Sequence, residues 1–358
     1  MRSSPRLVIV GGGIAGAELI RLLSNTEIEI SLIEPKHQIE CQALYPDYLA
    51  GLVGIDDMIA PLDDFCERSG ALHISERALE LDDGVVVCQR SRVEYDILVI
   101  AVGAEQNFYG VKGSENAFSV NTFEGTLHAR EFIERESPDR IMVVGSGLTG
   151  VEVASVLADS LESNIYIVEM QGRILPQFPE RISRLVERIL FERGVSILTS
   201  TQVSEIQRDS ITFADGTTLD CDMTIWTTGI KPTQFAENLR FPKKRGWLLT
   251  DPYLRVQDDI FAIGDCAWIE IDQKLATKTG IEAERQAKHM AENLKRMIRR
   301  RSLTQYSILA CTENPIALIS TGCGRAVGVY GRTCIPLPAR LLRAVKIWID
   351  KSIVSRYK

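Results

Sequence analysis

The chain has 358 residues, 45% of them hydrophobic, and a formal net charge of −7; at roughly 150 residues per domain this bounds it to two or three globular units with ample core. The acidic balance argues against nucleic acid as a partner. The longest apolar run, the 11 residues from Leu7 to Ala17, falls well short of the ~20 that a membrane span needs. Eight cysteines and four histidines show no C-x-x-C and no metal-type spacing, so no metal site is expected and the thiols read as structural, in a cytoplasmic setting. With a strand-like run so close to the first residue, no leader is expected.

The first predicted element is that strand, RLVIV from Arg6, which runs into a G-x-G-x-x-G turn at Gly11, Gly13 and Gly16. Ile14 and Ala15 open an apolar helix, and a second strand ends in Glu34. The first glycine permits a tight turn, the second lets backbone amides approach a pyrophosphate, and the third brings helix and strand together. The helix start offers unpaired N–H groups and a positive dipole end to the phosphates. Glu34, 18 residues beyond Gly16, stands where a carboxylate accepts hydrogen bonds from an adenosine ribose. The segment IECQALYPDYLAGL follows at residues 39 to 52, with Cys41 isolated in it, the next cysteine being Cys66.

YDILVIAVGAEQN is a strand ending near Gly103, and the mixed segment GVKGSENAFSVNTFEG leads away from it. The first pattern then recurs: a strand, glycines at Gly145, Gly147 and Gly150, a helix, and Glu169 closing the next strand 19 residues past Gly150. Two such units 134 residues apart predict two dinucleotide sites in one chain. A carboxylate at the ribose edge favours NADH and repels the 2′-phosphate of NADPH, although Arg173 nearby would soften that preference. Glu152, just after the second loop, is either a partner of the helix dipole or a group near the nicotinamide that handles protons. DMTIWTTGIKPTQ, ending near Gly229, mirrors the strand at Gly103, and DPYLRVQDDIFAIGDCAWIE closes on Gly264-Asp265. Lys278 and Thr279 then start a helix, placing a cation and a dipole end where negative charge on a reduced cofactor could be stabilised. A solvated lysine is the plainer alternative.

Residues 338 to 358 carry a net charge of +5, leaving −12 on the remainder. On a helix, Leu341, Leu342, Val345, Trp348, Ile349 and Ile353 share one arc, with Arg343, Lys346, Asp350 and Lys351 opposite. Such a helix suits an in-plane membrane anchor with its cations on anionic lipid. It equally suits docking on the chain's own body or on a homodimer partner, basic face against acid.

The Gly264-Asp265 strand resembles the distal FAD motif of two-dinucleotide flavoproteins, in which the Asp takes the flavin's ribitol hydroxyl. The segments at Gly103 and Gly229 resemble the pair that carries the chain between the FAD and NAD domains there. The resemblance implies an α/β, two-dinucleotide-binding-domain flavoprotein. Residues 1–108 and 233–300 would form a Rossmann-like FAD domain, 109–232 an inserted Rossmann-like NAD(P)H domain, and 301–358 a C-terminal α/β extension. Both glycine loops, ALYPDYLAG, VEVA, RILPQF and the lysine-led helix resemble the type II NADH dehydrogenase group. ALISTGCGRAVG and KIWIDKSIVSRY resemble its branch sometimes fused to selenide, water dikinase. Two departures are Cys323, where that branch has an acid in TG-x-G, and the missing Ala-Gln start of the helix at Lys278.

The resemblance implies FAD and NADH as cofactors, a quinone or other small acceptor, and Glu152 and Lys278 as reactive-site residues, on the cytoplasmic face of a membrane. A rival enzyme reading is a thiol-dependent reductase or NADH oxidase using Cys41. Disulfide reductases of this superfamily carry C-x4-C, and single-cysteine relatives a Cys-Gly-like step, where Gln42 and Ala43 stand here, so Cys41 is expected to pack. Tyr45, Pro46, Tyr48 and Gly51 are instead expected to shape a wall beside the flavin. A third reading is a nucleotide-sensing flavoprotein that acts as a binding module.

Overall fold

The computed structural model describes residues 4–358. Two parallel sheets organise it. The first has six strands in the order Arg255–Gln257, Ile260–Ala262, Ile97–Ile100, Arg6–Val10, Glu29–Ile33 and Ala71–Ile74. All neighbours in it are parallel except the Arg255–Gln257 edge. Leu7, Val8 and Ile9 in its centre are almost wholly buried, as the unbroken apolar run of a strand covered on both faces requires. Chain order reverses at Arg6–Val10, so the crevice of the fold opens beyond that strand's carboxyl end.

The second sheet has five strands, Phe118–Ser119, Met223–Trp226, Arg140–Val144, Asn164–Val168 and Ser196–Leu198, all parallel. Arg140–Val144 takes the central place that Arg6–Val10 takes in the first. The duplication runs further than the glycine loops. Each unit inserts a three-stranded antiparallel meander before its returning strand, Ala78–Glu94 in one and Val203–Asp220 in the other. Between the units the chain crosses twice, and the crossings pair with each other as antiparallel strands, Ala104–Gln106 with Ile230–Pro232.

After helix Gly280–Ile298, a three-stranded antiparallel sheet begins with Ile316–Ser320 and leads to helix Ala339–Ser355. That C-terminal helix touches both units. Lys351 pairs with Asp57 at 3.0 Å, Arg356 with Glu284 at 2.5 Å, and Lys346 with Glu152 at 3.4 Å. The expectation that its cations face anionic lipid is overturned. Arg343 and Lys346 are 3% and 6% exposed, whereas Trp348 is 70% exposed and Leu341, Val345 and Ile349 also face outward. The charged face is turned in because Asp47 and Glu152 are themselves buried, and a buried carboxylate left without its partner costs several kcal/mol. Leu342 and Ile353 are the exceptions on the apolar arc, Leu342 buried against the preceding sheet and Ile353 partly buried against the core of the first unit. No helix among the described residues is long and apolar enough to cross a membrane.

Candidate dinucleotide and electron-transfer site

The two glycine loops are built alike. Gly11 has φ +110° and Gly145 φ +100°, a backbone that disfavours any side chain. A Cβ on Gly16 would land on the Gly11 carbonyl, and one on Gly150 on the Gly145 carbonyl, whereas one on Gly13 would meet nothing within 4 Å. Gly13 and Gly147 are the N-caps of helices Ile14–Leu23 and Leu148–Ser160, and neither helix start receives a side-chain cap. The free N–H groups and positive dipole ends, Ile14 and Ala15 among them in the first unit, therefore remain available to an anion.

The two acids are held in matching ways. Glu34 accepts from the Gly12 amide at 2.8 Å and the Lys36 amide at 3.0 Å. Glu169 accepts from the Ser146 amide at 3.1 Å, the Ser146 hydroxyl at 2.5 Å and the Gln171 amide at 2.7 Å. Each carboxylate is thereby tied to the second residue of its own glycine loop. Arg173, the residue expected to soften a preference for NADH, donates to the carbonyls of Leu175 at 3.0 Å and Pro176 at 2.7 Å. Gly103 and Gly229 both take the left-handed backbone, at φ +65° and +74°.

Gly264-Asp265 follows the strand next to Ile97–Ile100 and lies across from the first loop, where a Cβ on Gly264 would meet Ala15 at 3.2 Å. The Gly264 amide donates to Gln286 at 2.7 Å. The Asp265 carboxylate receives no hydrogen bond among the described residues, and burial pushes its pKa up, opposed by Lys278. Lys278, expected from the sequence only as a cation at a helix start, reaches this turn. Its ammonium donates to the Asp265 carbonyl, donates to the Ala267 carbonyl at 2.9 Å, and lies 3.8 Å from the centre of the Trp247 ring. Burial lowers its pKa while Asp265 holds it up. Thr279 is the N-cap of helix Gly280–Ile298, again without a side-chain cap.

Glu152 lies under the C-terminal helix. It accepts from the Ser320 amide at 2.8 Å and faces Lys346, which also donates to Asp350 at 2.8 Å. Arg343 completes the cluster, with two N–H groups on Asp47 and a third bond of 2.7 Å to Ser320 Oγ. Burial pushes the Glu152 and Asp350 carboxyls up, Lys346 opposing in both cases. Burial also works against the Lys346 ammonium, yet Glu152 and Asp350 keep it above the ordinary lysine value. Three carboxylates facing two cations, with two of the carboxyls pushed up, is an arrangement that can retain one proton. Asp47, Ser320 and Gln286 were not singled out from the sequence, and Arg343 only as one cation of the amphipathic helix; the one available signal was Asp47, an acid inside an otherwise uncharged segment.

Cys41 is buried, and its thiol lies 3.6 Å from the Asp350 carbonyl. Burial pushes its pKa to about 12, which leaves almost no thiolate at neutral pH. All eight cysteines are free. Tyr45 is wholly buried and donates to Glu40 at 2.9 Å, and a Cβ on Gly51 would meet the Arg130 guanidinium at 3.1 Å. These residues of the ALYPDYLAG segment hold helix Tyr45–Leu49 between the two units.

Residues 5–291 match the family described as pyridine nucleotide-disulphide oxidoreductase. The chain belongs to that family. A type II NADH:quinone oxidoreductase of Staphylococcus epidermidis is 24% identical over 95% of this chain and 93% of its own. NDH2 from Plasmodium falciparum, solved in complex with NADH, superposes with a TM-score of 0.85 at 17% identity, over 99% of this chain and 98% of that one. The reduced CoADR-RHD of Bacillus anthracis gives a TM-score of 0.82 at 18% identity; it covers 96% of this chain, which spans 64% of that longer protein. These two likenesses show the fold, an α/β architecture with two dinucleotide-binding-type units.

Family membership implies FAD and NAD(P)H, and the residues present fit both. The uncapped helix starts, the open space at Gly13 and the unpartnered Asp265 carboxylate are groups that a flavin dinucleotide and a nicotinamide dinucleotide would complete.

Proposed function

We propose that the chain is an FAD-dependent NADH dehydrogenase of the type II kind that delivers electrons to a quinone-type acceptor at a membrane surface. The observation that carries this reading is a pair of dinucleotide cradles in one chain with no reactive thiol beside them. Gly11, Gly13, Gly16, Glu34 and Asp265 would hold the FAD, and Gly145, Gly147, Gly150 and Glu169 the NADH. The chemistry supplied by such a pair of cofactors is hydride transfer from nicotinamide to flavin and onward delivery of electrons to an acceptor. The chain's own residues bind and orient. Lys278 fixes the Gly264-Asp265 turn through two carbonyls, so that the Asp265 carboxylate stays free for a ligand. Glu152, in its cluster with two cations and two further carboxylates, is suited to holding a proton.

Cys41 tests this directly, because the thiol reading needs it and the quinone reading does not. Cys41→Ser is expected to keep NADH oxidation with a water-soluble quinone within about twofold of the parent, the thiol being almost fully protonated. Loss of quinone turnover with flavin content intact would move the function to the thiol-dependent reading.

The outward apolar arc of the C-terminal helix supports the membrane surface as the place of work. With Arg343 and Lys346 turned inward, attachment would rest on apolar insertion of Trp348, Leu341, Val345 and Ile349 rather than on anionic lipid. Flotation with phosphatidylcholine vesicles is therefore expected to depend little on salt. Trp348→Glu should weaken it roughly 10- to 100-fold, the equivalent of about 1.5–3 kcal/mol for one buried aromatic side chain. Binding that needs anionic lipid and vanishes at high salt would contradict this arrangement.

A further inference from the structure

The sequence offers no metal-ligand spacing, yet the fold gathers two of its four histidines beside the first glycine loop. His37 lies just past the end of strand Glu29–Ile33, Asp63 in the first turn of helix Leu62–Ser69, and His73 on strand Ala71–Ile74. Backbone bonds fix the three elements to one another, from the Leu62 amide to the His37 carbonyl at 2.9 Å and from the Glu34 amide to the Ile74 carbonyl at 3.2 Å. One donor atom from each of His37, Asp63 and His73 lies within 4.8 Å of the other two.

The count of hydrogens around His73 sets this cluster apart from an ordinary surface group. Its side chain is 5% exposed. Nε2 is 2.8 Å from the Glu34 carbonyl oxygen, which can only accept, so Nε2 carries the N–H. In the neutral ring Nδ1 is then a lone pair, and it faces Asp63 Oδ1, a second acceptor, at 2.6 Å. Two acceptors at that separation need a proton or a metal cation between them. The second oxygen of Asp63 lies 2.8 Å from His37 Nδ1, and His37 Nε2 lies 3.1 Å from the Ser75 hydroxyl. Ser75 can accept from that nitrogen, which would leave His37 Nδ1 also free to ligate. An imidazole that donates one ring N–H to a backbone carbonyl has its tautomer and ring orientation fixed, as metal-ligating histidines do, with the other nitrogen free to ligate.

We propose that His37 Nδ1, His73 Nδ1 and the Asp63 carboxylate form a binding site for one divalent transition metal ion of the zinc type. Two imidazoles and one carboxylate, with a fourth position open to water on the exposed side of His37 and Asp63, match the donor set and number that zinc takes outside closed cysteine sites. Bonds of about 2.0–2.1 Å to each donor require the His73 and Asp63 donor atoms to part to roughly 3.3 Å in a tetrahedral arrangement. The Asp63 side chain, 54% exposed, is free to make that small rotation. The ion would tie together the strand ends on either side of Glu34, whose carboxylate holds the first loop through Gly12.

The test uses tag-free holoprotein stripped with a chelator. Zinc retained after dialysis against metal-free buffer is measured by elemental analysis, and cobalt(II) titration is followed by visible d–d absorbance. The expected result is one equivalent of zinc per chain and a saturating cobalt spectrum with nitrogen and oxygen ligands. His37→Gln and Asp63→Asn, both at exposed side chains, should weaken binding at least about tenfold with flavin content unchanged. His128→Gln, exposed and distant in sequence, should bind as the parent does. Failure to retain zinc would overturn the proposal and leave a proton as the positive charge between His73 and Asp63. Binding that persists in both His37→Gln and Asp63→Asn, or a sulfur-type cobalt spectrum from the partly exposed Cys323 and Cys334, would overturn it as well.

Discussion

Arg343→Met is expected to lower the thermal unfolding midpoint of the holoprotein by on the order of 5–10 °C, because it leaves Asp47 buried without its counter-charge. Removing one partner of a buried ion pair costs about 3–5 kcal/mol, and 1 kcal/mol moves the midpoint of a large domain by about 2–4 °C, less in a longer chain. Arg343 holds Asp47 with two N–H groups and Ser320 with a third bond, so it joins helix Tyr45–Leu49, the C-terminal sheet and the C-terminal helix. The penalty comes from the stranded carboxylate rather than from the lost attraction. Asp47→Asn combined with Arg343→Met should therefore recover more than half of the loss. A single variant within 1 °C of the parent, or a double variant that is worse than the single, would show that the pair does not hold the C-terminal helix in place.

The second large effect separates the two cradles. In Gly150→Val the new Cβ would land on the Gly145 carbonyl oxygen, in the loop itself, and 2.7 Å from Thr227 Oγ1, just past strand Met223–Trp226. The loop must shift to admit it, and overpacking of this kind costs about 1–3 kcal/mol. If that cost falls on nucleotide binding, the KM for NADH rises roughly 10- to 100-fold. Flavin content should stay at the parent's level, because the first loop has its own strand, helix and acid. Assay of bound flavin alongside NADH kinetics decides the matter. Loss of flavin together with NADH affinity would mean that the two loops do not serve separate nucleotides.

The glycine loops, Glu34, Glu169 and the Gly264-Asp265 strand were legible because each is a local constraint. Only glycine tolerates the backbone at Gly11 or the approach at Gly16, so the spacing survives in sequence as a readable mark. The crossings near Gly103 and Gly229 were legible for the same reason. The C-terminal helix was half legible. Periodicity yields the apolar arc from Leu341 to Ile353, but it does not say which face meets solvent, and two buried acids from elsewhere in the chain turned that helix charged side in. Lys278 was legible as a cation at a helix start, but its bonds to two carbonyls and the Trp247 face arise from residues 11 and more positions away. Residues brought together across long separations left no local trace. Asp47 and Arg343 are 296 positions apart, and His37 and Asp63 are 26 apart with His73 ten further on. The two meanders went unremarked because short antiparallel strands alternate apolar and polar residues much as ordinary loops do.

Cys41 began as the conspicuous feature of its segment and ends as packing under the Asp350 carbonyl, while Asp47, six residues on, anchors the C-terminal helix. That exchange of roles carries the central claim, that electrons leave this protein without a thiol relay. Anaerobic reduction of the purified flavoprotein with NADH, followed by rapid mixing with quinones, disulfides, peroxide and oxygen in separate syringes, measures it most directly. The account predicts that NADH bleaches the flavin absorbance and that a quinone restores it faster than any other acceptor. Reoxidation that is fast with a disulfide and slow with every quinone would contradict it.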